Sequence, residues 1–290
     1  MKERKKILLI DMANMGIRTA MACYRDDPTD TRYVRWKSEI LEKFVWLMRE
    51  TEATSMILAM EGKKCWRYEV FDQYKSHRKE EKAKAKMDFE TYYPMFDSFC
   101  SLLRQYMPNI YQIRVPRAEG DDVVASLTKH LTPDYDVICV STDRDFYQLL
   151  KYPGYRQFHP IKRKYVEVLN PERYLLEKVI VGDKGDGVPH VKARVSTKTA
   201  PKIIDEGLEE WIEKEGVRAE FERNKTLIDF DRIPIEVETA VIDELKNYKW
   251  EPMSKRDVIN FFQAADCMNL FDKSPQYANA FSSMERVNVK

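Results

Sequence analysis

The sequence has little of what would commit a chain to an unusual environment. Its five cysteines (Cys23, Cys65, Cys100, Cys139 and Cys267) are scattered through 290 residues without a Cys-x-x-Cys pair. That excludes a zinc ribbon and a disulfide framework, and leads us to expect reduced thiols in a cytoplasmic protein. No long apolar run occurs near the start: Ile7 to Ile10 ends at Asp11, too short for a signal peptide or a membrane span. Glycine is sparse, at nine residues, and no Gly-x-x-x-x-Gly-Lys-[Ser/Thr] loop is present, so ATP-driven chemistry has no support. Asp11-Met12-Ala13 lacks the second Asp, two residues on, of an aspartyl-phosphate phosphatase. His77, His130, His159 and His190 are isolated, and internal repeats, low-complexity tracts and heptads are absent.

An excess of one charge is missing too, the formal net charge being +1, but the charges are segregated. From Gly62 to Lys86 nine Lys and Arg face four acids, and further basic runs lie at Lys162-Arg163-Lys164 and at Lys192, Arg194, Lys198 and Lys202. A single such run reads as a solvated face. Three beside an acidic pocket point to a polyanion.

What the chain does have is acidic residues where apolar runs stop. Asp11 follows Ile7 to Ile10, Glu61 follows Met56 to Met60, and Asp143 follows Val137 to Thr142. Glu119, Asp121, Asp122, Asp145, Asp183 and Asp186 also stand at expected element ends. Short apolar runs alternating with segments of helical period predict strands near 6–11, 56–60, 110–115 and 136–141. Helices are expected over 38–48, 93–106, 122–131 and 145–150. The fold class is therefore α/β, a mostly parallel twisted sheet flanked by helices. A smaller all-helical region is expected to follow, with helices near 199–206, 208–224, 236–248 and 254–266. The division expected is 1–190 for the α/β domain and 191–290 for the helical region. In an open parallel sheet the ligand site lies outside the carboxyl ends of the strands, so these acids would converge. Each alone is explained by capping. Together they call for divalent cations, and hard oxygen ligands favour Mg²⁺ or Mn²⁺. Two such ions beside basic side chains match phosphodiester hydrolysis.

Five segments carry a resemblance: Leu9-Ile10-Asp11, Tyr74-Lys75-Ser76-His77-Arg78, Ala118-Glu119-Gly120-Asp121-Asp122, Ser141 to Phe146, and Gly182-Asp183-Lys184-Gly185-Asp186. In order and spacing they resemble the phage and bacterial 5′-nuclease (flap endonuclease) family. Thr226 to Pro234, with Lys151-Tyr152-Pro153, looks most like its ribonuclease H branch in T-even phages. The resemblance implies a Mg²⁺-dependent 5′ to 3′ exonuclease and flap endonuclease with ribonuclease H activity, in which Mn²⁺ substitutes. Such an enzyme removes RNA primers and adjacent DNA from lagging-strand fragments during phage DNA replication in the host cytoplasm.

The same resemblance assigns Asp11, Glu119, Asp121, Asp122, Asp143, Asp145, Asp183 and Asp186 to two metal sites, with Glu61 standing where the family usually has Asp. It places Lys75 and Arg78 at the scissile phosphate and a helical arch at about 79–92. Nucleic-acid contacts are expected from Lys63, Lys64, Arg67, Tyr74 (as a stacking group), Lys79, Lys82, Lys84, Lys86, Lys192, Arg194, Lys198 and Lys202. The implied partners are DNA and RNA/DNA hybrids with 5′ ends, flaps or forks, a single-strand DNA-binding protein and a sliding clamp. The protein is expected to be a monomer that does not engage membranes. Two departures are Glu61 itself and Gly120, which replaces a usual Ala. A K⁺ site has little support, because Ser196 to Ala200 stands in place of a Gly-x-Gly turn. Competing readings are a fork-binding protein without catalysis and a single-strand ribonuclease of the PIN type.

Overall fold

The computed structural model describes residues 4–78, 80, 84 and 86–289. Six strands form one sheet in the order β3-β2-β1-β4-β5-β6. They are β1 (Lys6–Asp11), β2 (Ser55–Ala59), β3 (Tyr111–Ile113), β4 (Asp136–Val140), β5 (Tyr155–His159) and β6 (Lys164–Tyr165). All neighbours are parallel except the last pair. The sheet turns direction between β1 and β4, and in such a fold the crevice beyond those two strand ends receives ligands.

The first four strands coincide with the apolar runs read from the sequence. Strands β5 and β6 were not anticipated, because Arg156 and Gln157 interrupt the apolar pattern near the sheet edge.

Alternation along each strand divides the core. Leu8, Ile10, Met56, Leu58, Ile138 and Val140 point to one face. They meet α1 (Met12–Asp26), α2 (Val34–Thr51) and α4 (Phe89–Tyr106). Ile7, Leu9, Ile57, Val137 and Cys139 point to the other, toward α5 (Gly120–Leu131). The short helix α3 (Arg67–Val70) follows Trp66.

Beyond β6, α6 (Pro171–Val181) starts where Asn170 accepts from the Arg173 N–H at 2.8 Å, and Pro171 occupies the first turn. It packs with α7 (Ala200–Glu215) and α8 (Arg218–Ile228) around a third core that also takes in Tyr74. The kink at Gly207 falls at the break expected between 206 and 208, whereas the left-handed Gly216 splits the run expected over 208–224.

The cores divide differently from the 190/191 boundary. Val237, Val241 and Leu245 of α9 (Ile235–Lys246) join the second face of the sheet. Val258, Phe261 and Phe262 of α10 (Lys255–Ala264), with Tyr277 and Phe281 of α11 (Ser274–Ser282), join the first. The chain thus leaves the sheet after β6 and returns to both its faces.

The expected arch span also shortens at its far end. Asp88 caps α4 by accepting from the Glu90 N–H at 2.8 Å, and Tyr92 lies buried edge-on to Trp36. Residues 89–92 are therefore part of the body. Lys79 and Lys82 lie outside the described residues. Among the described residues no helix is long and apolar enough to cross a membrane.

Candidate metal and nucleic-acid site

Asp11 ends β1 and caps α1, accepting from the Asn14 N–H at 3.0 Å and from the Ser141 hydroxyl at 2.9 Å. The turn after β4 is held by Gln157, whose amide donates to the Ser141 and Asp143 carbonyls at 3.2 and 2.6 Å. Asp143 accepts from the Asp145 N–H at 2.9 Å, which makes the turn present both carboxylates. Asp121 stands in the first turn of α5. Glu61 reaches the N-terminus of that helix, accepting from the Gly120 N–H at 3.0 Å. Its extra methylene, relative to an Asp, supplies the reach.

No Lys, Arg or His lies within ion-pair distance of Asp11, Glu61, Asp121 or Asp143 among the described residues. Burial, reinforced by the charges of Asp143 and Glu61, lifts Asp11 to about 6. Asp121 is held well above the usual carboxylate range, first by burial and then by Asp143 and Asp11. Glu61 is raised by partial loss of solvent around its carboxyl and by Glu119. These acids already crowd one another in space.

The remaining carboxylates are differently placed. Glu119 accepts from Arg67 at 3.0 Å, from the Tyr74 hydroxyl at 2.9 Å and from Lys75 at 2.5 Å. Asp186 meets Arg78 at 2.6 Å and Lys75 at 3.6 Å. Lys178 of α6 pairs with Asp145 and, at 2.7 Å, with Asp183. Asp183 caps the short turn Lys184–Asp186 by accepting from the Gly185 N–H at 2.7 Å. Oxygen atoms of Asp145, Asp183 and Asp186 lie within 4.8 Å of one another, a spacing one cation can bridge. Burial works against the charged forms of Glu119 and Asp186. Lys75, with Arg67 on Glu119 and Arg78 on Asp186, outweighs it and lowers both. Asp145 is lifted by burial to about 6 despite Lys178. Asp121, Asp145, Asp183 and Asp186 line one small cleft together with Arg67 and Tyr74.

Three expectations need correction. Arg67 is buried, donating from Nε to the Leu227 carbonyl at 2.8 Å while pairing with Asp122 at 2.7 Å, so it joins α3 to α8 from the interior instead of lying on an exposed face. Tyr74 is buried as well, its hydroxyl lying 2.9 Å from Glu119 and 2.8 Å from Asp186, which leaves no ring face for stacking. Asp122 is not among the residues that line the cleft. It is fully buried, closes a capping box on the Glu119 N–H at 2.9 Å, and accepts from Trp66 and Arg67, so its oxygens are engaged within the protein.

Of the basic residues, Lys63, Lys64, Lys84, Lys86, Lys192, Arg194, Lys198 and Lys202 are exposed, and Lys192 is also paired with Glu215. Lys162 and Arg163 lie in the turn joining β5 to β6, and Lys164 opens β6. Sequence reasoning missed Lys178, Ser141 and Gln157. The Asn170-Pro171 start signal could have placed α6, and with it Lys178 one turn before Gly182-Asp183.

Comparison with known proteins shows the family and the fold. The family model described as 5′-3′ exonuclease, N-terminal resolvase-like domain, matches residues 6–179. Ribonuclease H of Enterobacteria phage T4 is 27% identical, over 92% of this chain and 94% of that protein. DNA polymerase I of Bacillus caldotenax is 28% identical over 69% of this chain, which spans only 23% of the polymerase. Among solved structures, a bacteriophage T5 flap endonuclease in a pseudo-enzyme-product complex with DNA and metal ions superposes with a TM-score of 0.65 at 19% identity. That match covers 90% of this chain and 100% of the other. The T5 5′-exonuclease with bound zinc superposes at 0.61, also at 19% identity, over 96% of this chain and 100% of that one.

Proposed function

We propose, from the premise that this chain belongs to the 5′-3′ exonuclease family, that it hydrolyses phosphodiesters at 5′ ends, flaps and forks and has ribonuclease H activity. The observation that carries this is the convergence of carboxylates from β1, β4, α5 and the Asp183–Asp186 turn at one sheet edge, with Lys75 and Arg78 beside them. Relatives of this chain bear the names ribonuclease H and flap endonuclease, which supports the same reading.

The donor set fits divalent metal. Asp121 has neither a hydrogen-bond nor an ion-pair partner among the described residues, and its neighbours Asp11 and Asp143 share no protein cation. Asp11, Glu61, Asp121 and Asp143 would hold one ion, and Asp145, Asp183 and Asp186 the other, with Glu119 between them. Oxygen ligands alone favour Mg²⁺, with Mn²⁺ able to substitute. Such ions supply water activation and neutralise charge on the attacking and leaving oxygens.

The chain's own cations do the rest. Burial opposes the charge on Lys75, but Asp186 and Glu119 outweigh it and keep the ammonium protonated. It therefore stands ready to transfer from carboxylate to a phosphate oxygen. Arg78 is exposed on its other side and can reach a phosphate without breaking up the buried network. Exposed Lys63, Lys64, Lys84, Lys86, Arg194, Lys198 and Lys202 would follow the nucleic-acid backbone, changing affinity uniformly across sequences. We further assign the enzyme to primer removal in phage replication, as a monomer working with a single-strand DNA-binding protein and a sliding clamp.

Purified protein with Mg²⁺ should degrade a 5′-labelled RNA/DNA hybrid and cut a flap, and EDTA should stop both. Intact substrates with and without EDTA would sink the proposal. Cleavage of free single-stranded RNA in preference to the hybrid would favour the PIN-type alternative.

A further inference from the structure

We infer that Lys178 is a resident counter-ion of the Asp145–Asp183–Asp186 cluster, occupying it in place of a divalent cation until nucleic-acid phosphate arrives. The inference rests on the nuclease reading and deepens it.

The charge count of the two halves of the site leads there. Asp11, Glu61, Asp121 and Asp143 are four carboxylates without a paired cation among the described residues. In the other half Glu119, Asp122, Asp145, Asp183 and Asp186 are five carboxylates, paired with the four cations Arg67, Lys75, Arg78 and Lys178. Five minus four leaves one negative charge. A dication added there alone would leave the half positive, and would sit a few ångströms from an ammonium on the same oxygens. Phosphate restores the balance by bringing negative charge and by giving Lys75, Arg78 and Lys178 a new partner.

Lys178 differs from the other three cations. Arg67 is locked by the Leu227 carbonyl and stacks on Trp66, its guanidinium 4.5 Å from the ring. Lys75 and Arg78 both meet Asp186, in the segment the family resemblance assigns to substrate. Lys178 bridges Asp145 and Asp183, pairs with neither Glu119 nor Asp186, which the other three cations hold, and its side chain is only 13% exposed.

Its backbone is fixed relative to them. The Gly182 N–H donates to the Lys178 carbonyl at 2.7 Å, and Gly182 has φ 73°. A Cβ on Gly182 would lie 2.4 Å from the Pro189 carbonyl oxygen. The turn therefore holds Lys178 and Asp183 together, and only the flexible four-carbon stem can move the ammonium away.

Mn²⁺ binding to the full-length protein, followed by electron paramagnetic resonance without nucleic acid, tests this. The native protein should bind one ion tightly and a second weakly. Lys178→Met should tighten the second by about tenfold or more, the size expected when one close like charge is removed from a partly buried site. A nuclease-resistant phosphorothioate flap DNA should tighten the second ion in the native protein and add little in the variant. Without metal, Lys178→Met should melt at a lower temperature than the native protein, and saturating Mn²⁺ should close the gap. If Lys178→Met does not fold, Lys178→Gln, which keeps a donor but no charge, carries the same expectations.

An unchanged or weakened second ion in the variant overturns the inference, because Lys178 would then be orienting the aspartates. Failure of both proteins to bind any Mn²⁺ would overturn the two-ion nuclease reading along with it. A native protein that binds Mn²⁺ and cuts flaps, beside a variant that binds no better, removes only the role of Lys178.

Discussion

The two halves of the acidic site are built from the same residue types and solve the same electrostatic problem in opposite ways. Around Asp11, Asp121 and Asp143 the carboxylates are crowded and have no paired cation among the described residues, and Asp11 and Asp121 are pushed upward in pKa. Around Glu119 and Asp186 it inserts its own guanidinium and ammonium groups, and both acids are pushed downward. In the proposed function the first arrangement sacrifices stability to leave a place for an external cation. The second is stable without one, and its cations are those a phosphate can recruit. Acidity alone therefore does not define a metal site. What distinguishes the halves is whether the counter-charge belongs to the protein.

The largest effect should come from the uncompensated half. Asp121→Asn should lower kcat by roughly a thousandfold or more, the scale seen when a preorganised electrostatic group is lost. It should also raise the melting temperature of metal-free protein at pH 8, by removing a charge that burial disfavours. Steady-state cleavage and thermal melts on one preparation read both. Loss of activity together with loss of stability would break the contrast.

In the compensated half the sign reverses. Arg67→Met removes the guanidinium from Glu119 and Asp122 and frees the Leu227 carbonyl, leaving buried charge unpaired. It should destabilise the protein by about 3–5 kcal/mol, measured by urea unfolding. A loss below about 1 kcal/mol would mean that the network relaxes at little cost.

Acidity should separate the halves next. Asp11 titrates near 6 when folded and at about 3.9 when unfolded. Between those values the native state holds the extra proton, so this acid contributes less stability as pH rises, by on the order of 2–3 kcal/mol across the window. Glu119 and Asp186 have folded values below the unfolded ones. Their contribution is present above the unfolded carboxylate pKa and is lost as pH falls through the depressed values. Metal-free protein should therefore be more stable at pH 5 than at pH 8, and Mg²⁺ should raise the melting temperature more at pH 8. Equal Mg²⁺ stabilisation at both pH values would contradict this account of the first half.

Much of the uncompensated half was legible in the sequence, because Asp11 and Asp143 each end an apolar run that became a central strand. The compensated half was legible only in its acids. Nothing in Lys63-Lys64-Cys65-Trp66-Arg67 distinguishes a buried guanidinium from solvated lysines, since burial depends on α8 arriving more than a hundred residues later. Lys178 reads as an ordinary basic residue in the last turn of a helix until Asp145, 33 residues away, is brought beside it. The 190/191 division failed to anticipate the packing for a similar reason. Helices α9 to α11 have the composition of an independent helical bundle, and only tertiary contact shows Val241 and Phe261 closing the faces of the sheet.

The smallest effect tests where the halves join, at the start of α5. Gly120 donates its N–H to Glu61, and the next acids along the helix, Asp121 and Asp122, go to opposite halves. A Cβ at Gly120 would meet only ordinary contacts, 3.7 Å from Glu61 Oε2, 3.8 Å from the Ala59 carbonyl oxygen and 4.0 Å from Asp11 Oδ1. Gly120→Ala should therefore stabilise the protein by about 0.4–1 kcal/mol, because alanine narrows the unfolded ensemble without strain in the fold. Cleavage and Mn²⁺ affinity should stay within about twofold, since the N–H to Glu61 is retained. A gain in stability with a loss of metal affinity would show that freedom at this one backbone position lets Asp121 and Glu61 adjust to an incoming cation, and the uncompensated half would then be adaptable rather than preformed.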